Sequence, residues 1–266
     1  MLPTSPRRRA FAAGVVAVTL ALVLAAVIAL NRGQQAVSSV PQDLPGTVLL
    51  VPGYGGNTTS MEALAATLRS QGRVAVVVPS PGDGTGDLRE HARALDVAAQ
   101  AAVAGGAPSV DVIGFSAGGV VARVWVAELG GGSSARRVVT LGSPHHGTDL
   151  AGTAAALVPG SCPMACRQLV PDGELLADLD ETPAGPLWTS LWTAQDEVVT
   201  PPDSAELAGA VNVELQMVCA DAQVAHGQLP TDPLAVAMVL QALDVAPLLE
   251  APGPADCASL RAGLSS

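Results

Sequence analysis

Short runs of β-branched and other apolar residues alternate with longer stretches rich in Ala and Leu along residues 46–266. This alternation is typical of βαβ units, and it predicts an α/β fold: a mostly parallel sheet of about six strands with helices on both faces. The runs are apolar at almost every position, as expected for strands covered on both faces. The predicted strands are Thr47–Val51, Val74–Val78, Val110–Ile113, Arg137–Leu141, Leu187–Thr193 and Val211–Val218.

The longer stretches between the strands predict helices. These helices are expected at Ser60–Gln71, Asp87–Val103, Ala117–Leu129, Ser204–Gly209 and Pro233–Leu243. Ser60 is the candidate N-cap of the first helix, and Gly72 is the candidate stop at its end. Residues 150–186 fit neither pattern, because they hold several prolines and a close pair of cysteines. We expect them to form an irregular, lid-like excursion over the carboxyl edge of the sheet, where such folds bind substrate.

The N-terminus carries a long apolar segment instead of this alternation. The run from Ala10 to Leu30 has 21 residues without a charge, and three arginines precede it directly. At about 1.5 Å per residue, such a run can cross a bilayer core of about 30 Å. Residues 1–30 are therefore predicted to be a signal-anchor with a cytoplasmic N-terminus. A cleaved signal peptide is the alternative, and a buried core helix would be the interpretation without a membrane.

The remainder of the chain divides into a linker and a single domain. Residues 31–45 are polar and contain two prolines, which predicts a linker. Residues 46–266 have a length that suits one domain with a large core. Both membrane-related interpretations place this domain outside the cytoplasm, either held at the cell membrane by a single span or secreted.

Composition argues against two classes of function. The net charge is −11, whereas a protein that binds nucleic acid needs a basic face for the phosphates. Aromatic residues make up only 2% of the chain, so the stacking platforms common in carbohydrate-binding sites are scarce. We therefore expect no nucleic-acid partner, and a glycosidase is disfavoured.

The four cysteines all lie in the part of the chain that is predicted to be outside the cytoplasm. An even count in an oxidising compartment predicts two disulfides, for which three pairings are possible. The favoured pairing joins Cys162 to Cys166, within the proline-rich stretch, and Cys219 to Cys257, near the C-terminus. A zinc site is the alternative, but no histidine lies at ligand spacing from these cysteines.

The segment Gly114-Phe115-Ser116-Ala117-Gly118 carries the most specific chemical signal. It follows a predicted strand and precedes a predicted helix, the context in which a Gly-x-Ser-x-Gly string forms a nucleophile elbow. The turn is so sharp that Gly114 and Gly118 are needed where strand and helix pass closely. This arrangement predicts Ser116 as the nucleophile. The alternative is a Gly-rich start of a helix in a nucleotide-binding fold, but no Gly-x-Gly-x-x-Gly string follows the first strand.

A second glycine-rich segment, Val51–Gly56, follows the first predicted strand. Acyl transfer requires two backbone N–H donors for the developing oxyanion, and one of them usually belongs to the residue after the nucleophile. We expect Ala117 to supply that N–H and Tyr54 to supply the second. By itself, the glycine-rich loop would also fit an ordinary β–α turn.

A serine nucleophile needs a histidine base, and in folds with this elbow the chain order is serine, acid, histidine. The histidines are His91, His145, His146 and His226. His91 precedes the serine, so the order excludes it. His145 and His146 follow the next strand too early for the base, with no acid between, and are expected to be loop residues that could line the site. His226 follows the last predicted strand and is the predicted base.

The acid that orients the base is predicted to be Asp196, just past the penultimate strand. Glu197 is its immediate neighbour, and Asp221 lies close to the predicted base along the chain. Both remain alternatives at this point.

With these residues identified, the chain resembles secreted bacterial triacylglycerol lipases and esterases of the α/β-hydrolase superfamily, in particular a group common in actinobacteria. The similarity covers roughly residues 46–250. It rests on Val51–Gly56, Pro81–Leu88, Gly114–Gly118, Leu141–Thr148, Asp196–Pro201 and Val224–Leu229. By that resemblance, Ser116, Asp196 and His226 match the catalytic triad, while Tyr54 and Ala117 match the oxyanion donors. One departure concerns the oxyanion loop: many such lipases have His-Gly where this chain has Pro52-Gly53, which leaves open how the loop is braced.

These residues and the resemblance predict an enzyme that hydrolyses carboxylic esters through an acyl-enzyme on Ser116. The substrate would be a lipid or another small ester, and the reaction needs neither a metal nor a cofactor. Because a triad does not choose the final acceptor, an acyltransferase or a peptidase on the same fold is an alternative. A surface module that kept the fold without turnover is a further alternative, against which the complete set of residues argues.

Overall fold

The computed structural model describes residues 40–263. The predicted anchor or signal segment, residues 1–30, lies outside them, as does the linker up to residue 39. Within the described residues, none of the helices combines the length and the apolar character that a membrane span requires.

The described chain is built around a six-stranded parallel sheet with strand order β2-β1-β3-β4-β5-β6. The strands are β1 Thr47–Val51, β2 Ala75–Val77, β3 Val110–Phe115, β4 Ala135–Leu141, β5 Leu187–Trp192 and β6 Val211–Glu214. The predicted parallel sheet of about six strands is thereby confirmed. The last strand is shorter than predicted, because its pairing ends at Trp192–Glu214, where β5 itself ends. Residues 215–218 have no strand to pair with and form a helical turn.

Helices connect and follow the strands. They are α1 Thr59–Ser70, α2 Leu88–Ala104, α3 Ala117–Glu128, α4 Asp149–Leu157, α5 Met164–Gln168, α6 Glu174–Ala177, α7 Leu215–Val218, α8 Pro233–Ala242 and α9 Cys257–Ala262. The predicted helix at Ser204–Gly209 is wrong: a short 3₁₀ turn spans Pro202–Ala205 instead. The Leu207 N–H donates to the Asn212 side chain at 3.0 Å rather than to a helical carbonyl, so the chain leaves the turn extended.

The ends of α1 test two predicted caps. The Ser60 N-cap is wrong, because the helix begins at Thr59, whose N–H donates to the Asn57 side chain at 2.9 Å. The Gly72 stop is confirmed: its φ of +78° is in the left-handed region, and the following Arg73 N–H donates to the Leu68 carbonyl at 3.0 Å. Glycine adopts this conformation without a steric penalty.

The sheet is buried on both faces, and successive residues of one strand belong to different cores. In β1, Leu49 and Val51 pack in a cluster with buried residues of α2 and α3. Val48 and Leu50 pack in a second cluster with buried residues of α1 and α8. Side chains of a strand alternate between the two faces of a sheet, so helices cover both of them, as predicted.

The excursion at residues 150–186 contains α5, α6 and most of α4, so it is more regular than predicted. The Gln168 side chain bridges it to the start of α2, accepting from the Leu88 N–H at 2.8 Å and donating to Asp87 at 2.7 Å. The disulfide Cys162–Cys166 lies within it. Cys219–Cys257 is the other disulfide, so the favoured pairing is confirmed.

Candidate active site

Ser116 is the single residue between β3 and α3, and its backbone has φ 53° and ψ −126°. A non-glycine residue rarely adopts a positive φ, so this is a strained position that the surroundings must hold. The Ser116 N–H donates to the Leu141 carbonyl of β4 at 2.8 Å, and the Ser116 carbonyl accepts from the Gly119 N–H at 3.0 Å. The predicted elbow is therefore present at the carboxyl end of a central strand.

The two glycines of the motif leave no room for a side chain. A Cβ atom on Gly114 would lie 2.5 Å from the Gly118 carbonyl oxygen. A Cβ atom on Gly118 would lie 2.3 Å from the Val51 carbonyl oxygen at the end of β1. The turn, the helix and the neighbouring strand can approach this closely only because both positions are glycine.

Asp196 and His226 form a buried hydrogen-bonded pair. Asp196 Oδ2 lies 2.6 Å from His226 Nδ1, and the two side chains are 1% and 7% exposed. The other carboxylate oxygen of Asp196 accepts from the Val198 and Val199 N–H groups at 2.9 and 2.7 Å. A carboxylate held by backbone donors fixes the orientation of the imidazole, and a proton on Nδ1 leaves Nε2 as the basic nitrogen.

Two neighbours of this pair carried no assigned role in the sequence. A Cβ atom on Gly142, the residue directly after β4, would lie 3.1 Å from both His226 Nδ1 and Asp196 Oδ2. Gly142 therefore provides the space in which the pair packs. The Phe115 ring stands 5.0 Å from the His226 ring, centroid to centroid. In the sequence, the position of Gly142 directly after a predicted strand was the only signal of its role. Nothing in the sequence indicated that Phe115 would pack against His226.

Ser116 and His226 line the same cavity, which has a volume of about 600 Å³. No hydrogen bond joins Ser116 Oγ to His226 Nε2 among the contacts of the described residues. Hydrogen bonds of this kind are often long in an enzyme without substrate and tighten in the complex. The structure thus brings together the predicted nucleophile, base and acid at the carboxyl edge of the sheet.

The predicted oxyanion donors belong to the loop after β1, which contains Tyr54, and to the elbow, which contains Ala117. Among the hydrogen bonds of residues 40–263, neither the Tyr54 N–H nor the Ala117 N–H donates to a protein acceptor. Tyr54 lines the same cavity as Ser116, and Ala117 directly follows Ser116 in the chain. A Cβ atom on Gly53 would lie 3.0 Å from Ser116 Cβ, so this loop and the elbow are in close contact.

The loop that contains Pro52-Gly53 is braced by a second glycine-rich turn. The Gly55 N–H donates to the Gly84 carbonyl at 3.0 Å, and a Cβ atom on Gly84 would lie 2.3 Å from the Gly56 nitrogen. This packing of turn 81–86 against the loop supports it in the absence of a histidine at position 52.

The alternative acids do not reach the imidazole. Glu197 is exposed, and its carboxylate contacts only the backbone N–H of His226, at 3.3 Å. Asp221 is exposed and pairs with Arg261 at 2.9 Å. Asp196 is therefore the carboxylate that contacts the ring.

The remaining histidines serve elsewhere. His91 is buried within α2. His145 is 1% exposed, and its Nε2 lies 3.1 Å from Thr140 Oγ1. His146 is half exposed and lies 2.9 Å from Glu181. Contrary to expectation, neither His145 nor His146 lines the cavities at Ser116.

Burial lowers the pKa of His145 well below its ordinary value, and the nearby Arg123 guanidinium lowers it further. This ring is therefore neutral in the folded protein around pH 7. As to metals, residues 40–263 contain no group of three or more His, Cys, Asp or Glu side chains arranged to hold an ion.

The fold is similar to those of several solved hydrolases. Aspergillus fumigatus lipase B superposes with a TM-score of 0.61 at 20% sequence identity, over 75% of this chain and 52% of that chain. The mature form of Bacillus licheniformis lipase BlEst2 gives 0.57 at 16% identity, over 75% and 92% of the two chains. The N-formylmaleamic acid deformylase Nfo of Pseudomonas putida S16 gives 0.50 at 16% identity, over 73% and 91%.

This chain thus spans about half the length of the Aspergillus fumigatus lipase. No protein-family model matches the sequence, and no match was found among the curated proteins. At these sequence identities the structural similarity establishes the architecture, and on that evidence the chain has the α/β-hydrolase fold.

Proposed function

We propose that this chain hydrolyses carboxylic esters, with Ser116 as the nucleophile, His226 as the base and Asp196 as the residue that orients the base. One observation carries the proposal: a serine on a strained elbow opens into the same cavity as an imidazole that a buried aspartate holds at 2.6 Å. Three such groups at one sheet edge are the arrangement required for acyl transfer.

The mechanism proceeds in two acyl transfers. Ser116 Oγ attacks the ester carbonyl carbon while its proton passes to His226 Nε2. The carbonyl oxygen becomes negatively charged and accepts hydrogen bonds from the Tyr54 and Ala117 N–H groups. Collapse of this intermediate breaks the bond to the alcohol, which takes the proton from His226. A water molecule then attacks the acyl-enzyme by the same steps and releases the acid and free Ser116.

The buried Asp196 carboxylate stabilises the imidazolium that forms in each transfer. It keeps its two backbone donors throughout, so its orientation is fixed while the ring takes up and releases the proton. The lipase names of two structural neighbours support an ester substrate. We also propose that the protein is of the secreted, actinobacterial lipase type that the sequence resembles.

The location outside the cytoplasm is part of this proposal. Two disulfides favour an oxidising compartment. Residues 1–30 would deliver the chain there, either as a retained anchor or as a cleaved signal peptide. Residues 46–266 would then form the catalytic domain, behind a linker at residues 31–45.

Labelling with a fluorophosphonate tests the nucleophile. The wild-type protein should be modified at Ser116, and Ser116→Ala should not be modified. Turnover of p-nitrophenyl esters should disappear in the same variant. A wild-type protein that neither reacts with the probe nor turns over esters would support an inert surface module. A protein that is labelled but cleaves only amides would support a peptidase.

A further inference from the structure

Two cavities meet at the candidate nucleophile. The wide one, of about 600 Å³, and the narrow one, of about 230 Å³, are both lined by Ser116, Tyr54 and Val198. The Tyr54 and Val198 side chains therefore lie where the two spaces join. An ester has two substituents on its carbonyl, so a serine at the junction of two cavities can receive one substituent in each.

The position of His226 distinguishes the two cavities. His226 lines the wide cavity and is not among the residues that line the narrow one. In the proposed mechanism the imidazole must give its proton to the oxygen of the departing alcohol, so the alcohol must lie on the side of His226. The acyl group is left with the narrow cavity.

The narrow cavity is apolar over most of its lining. Leu150, Ala151 and Ala154 of α4, with Leu169 and Val199, form much of its wall, and the disulfide half Cys166 also contacts it. A hydrocarbon chain is stabilised by about 0.8 kcal/mol for each methylene buried in such surroundings. The wall comes largely from the excursion at residues 150–186, which makes that segment the determinant of acyl preference.

The volume limits the length of that chain. A cavity of about 150 Å³ holds a benzene molecule with six carbons. In proportion, the narrow cavity of about 230 Å³ holds roughly nine carbons. Longer acyl chains would extend beyond this cavity.

Both cavities suit an uncharged substrate. Of the described residues that line them, none is Asp, Glu, Lys or Arg. The wide cavity combines apolar walls from Ala63, Phe115 and Val198 with polar, uncharged side chains, those of Asn57, Thr59, Ser60 and Thr231. Such groups exchange hydrogen bonds with hydroxyl groups, whereas a charged substituent would lose its hydration without a partner.

On the basis of the proposed function, we infer that the substrate is an uncharged ester of a short- to medium-chain acid, of up to about nine carbons, with a hydroxylated alcohol. The acyl chain occupies the narrow cavity beside α4, and the alcohol occupies the wide cavity beside His226.

Two series of substrates test the assignment. With p-nitrophenol as the fixed leaving group, kcat/KM should rise about two- to fourfold per methylene from acetate to octanoate and not rise beyond decanoate. Ala154→Phe places a ring in the narrow cavity. It should lower kcat/KM for octanoate at least tenfold and change the value for acetate less than threefold.

Ala63→Phe is the matched variant, since Ala63 lines the wide cavity and not the narrow one. It should keep the shape of the chain-length profile. In a series of butyrate esters it should lower kcat/KM for glycerol monobutyrate at least fivefold relative to methyl butyrate. If Ala63→Phe instead alters the chain-length profile and Ala154→Phe the alcohol preference, the assignment is reversed and the inference fails.

Two further outcomes distinguish a wrong cavity assignment from a wrong esterase assignment. A wild-type optimum at palmitate, or an unchanged profile in Ala154→Phe, overturns the inference while the esterase assignment stands. Absence of both turnover and Ser116 labelling in the wild type defeats the proposed function itself. Labelling stoichiometry gives the folded fraction of each variant. If Ala154→Phe does not fold, Leu150→Ala removes a half-exposed wall residue and should lower the octanoate-to-acetate ratio at least threefold.

Discussion

At the residue scale, the identity of the acid depends on one contact. Asp196 and Glu197 are neighbours in the sequence and carry the same charge, yet one is buried against the imidazole and the other is exposed. Asp196 is turned inward because the Val198 and Val199 N–H groups both donate to it.

We predict that Asp196→Asn lowers kcat for ester hydrolysis by about 10³- to 10⁴-fold. An amide at this position favours the wrong tautomer of the His226 ring and does not stabilise the imidazolium. Glu197→Gln is the matched control, and it should change kcat less than threefold. Steady-state hydrolysis of one p-nitrophenyl ester measures both. Similar losses in the two variants would contradict the assignment of the acid.

His145 links a single residue to the stability of the protein. Its buried ring has a lowered pKa, so it stays neutral in the folded state while the same ring in the unfolded chain takes up a proton below about pH 6.5. The unfolded state then binds more protons than the folded one. This group therefore leaves stability unchanged above about pH 6.5 and decreases it as the pH falls below that value.

We expect the free energy of unfolding to decrease by up to about 1.4 kcal/mol per pH unit below pH 6.5 because of His145. Urea unfolding between pH 5 and pH 7.5 measures this dependence. His145→Gln, which cannot titrate, should have a flatter profile. Equal slopes in the wild type and in His145→Gln would refute the prediction.

At the scale of elements, the functional groups lie just beyond strands or within the loops that follow them. Ser116 directly follows β3, and Asp196 lies four residues beyond β5, while His226 lies in the stretch after α7. Helices and strands hold these connections in place, and the two disulfides add covalent ties to the C-terminus and to the excursion. The effect of each disulfide should depend on the length of chain that it closes.

The two disulfides are predicted to differ in their effect on stability. Cys219 and Cys257 are 38 residues apart in sequence, whereas Cys162 and Cys166 are 4 apart. By restricting the unfolded chain, the disulfide that closes the long loop should stabilise the folded state by about 4 kcal/mol, and the one that closes the short loop by about 2 kcal/mol. Urea unfolding of Cys219→Ala/Cys257→Ala should show the larger loss. A larger loss in Cys162→Ala/Cys166→Ala would contradict this ranking.

At the scale of the whole domain, the carboxyl and amino ends of the parallel strands carry different groups of polar side chains. The carboxyl edge holds the candidate site, and the amino edge holds a buried ionic cluster centred on Asp111, the second residue of β3. Arg136 donates to this carboxylate at 2.8 and 2.9 Å and also to the Gln42 and Leu243 carbonyls. The cluster joins the first described residues, the central strand and the end of α8.

Because the cluster lies at the edge opposite Ser116, its disruption should affect stability and not chemistry. Asp111→Asn leaves buried arginine charge unpaired and should lower the free energy of unfolding by about 3–5 kcal/mol. Far below the new Tm, kcat should be unchanged. Asp221→Asn, which breaks the exposed pair with Arg261, should leave Tm essentially unchanged. A fall in kcat of the folded Asp111→Asn protein would indicate coupling between the edges.

The sequence predicted most of the fold and the candidate site, because the deciding features are local. Alternating apolar runs specify strands and helices, and a parallel sheet brings the carboxyl ends of its strands to one edge. The order of Ser116, Asp196 and His226 along the chain therefore implied their convergence. The Gly114 requirement is equally local, since it arises from the sharpness of one turn, whereas the Gly118 requirement arises from the close approach of β1.

Tertiary structure decided what depends on contacts between distant segments. The end of β6 depends on where its partner strand stops, and the turn at Pro202–Ala205 depends on the side chain of Asn212. The contact between Asp196 and His226 and the burial of His145 depend on packing between segments that no short stretch of sequence contains. The shapes of the two cavities that Ser116 lines also depend on tertiary structure, because segments far apart in the chain form their walls.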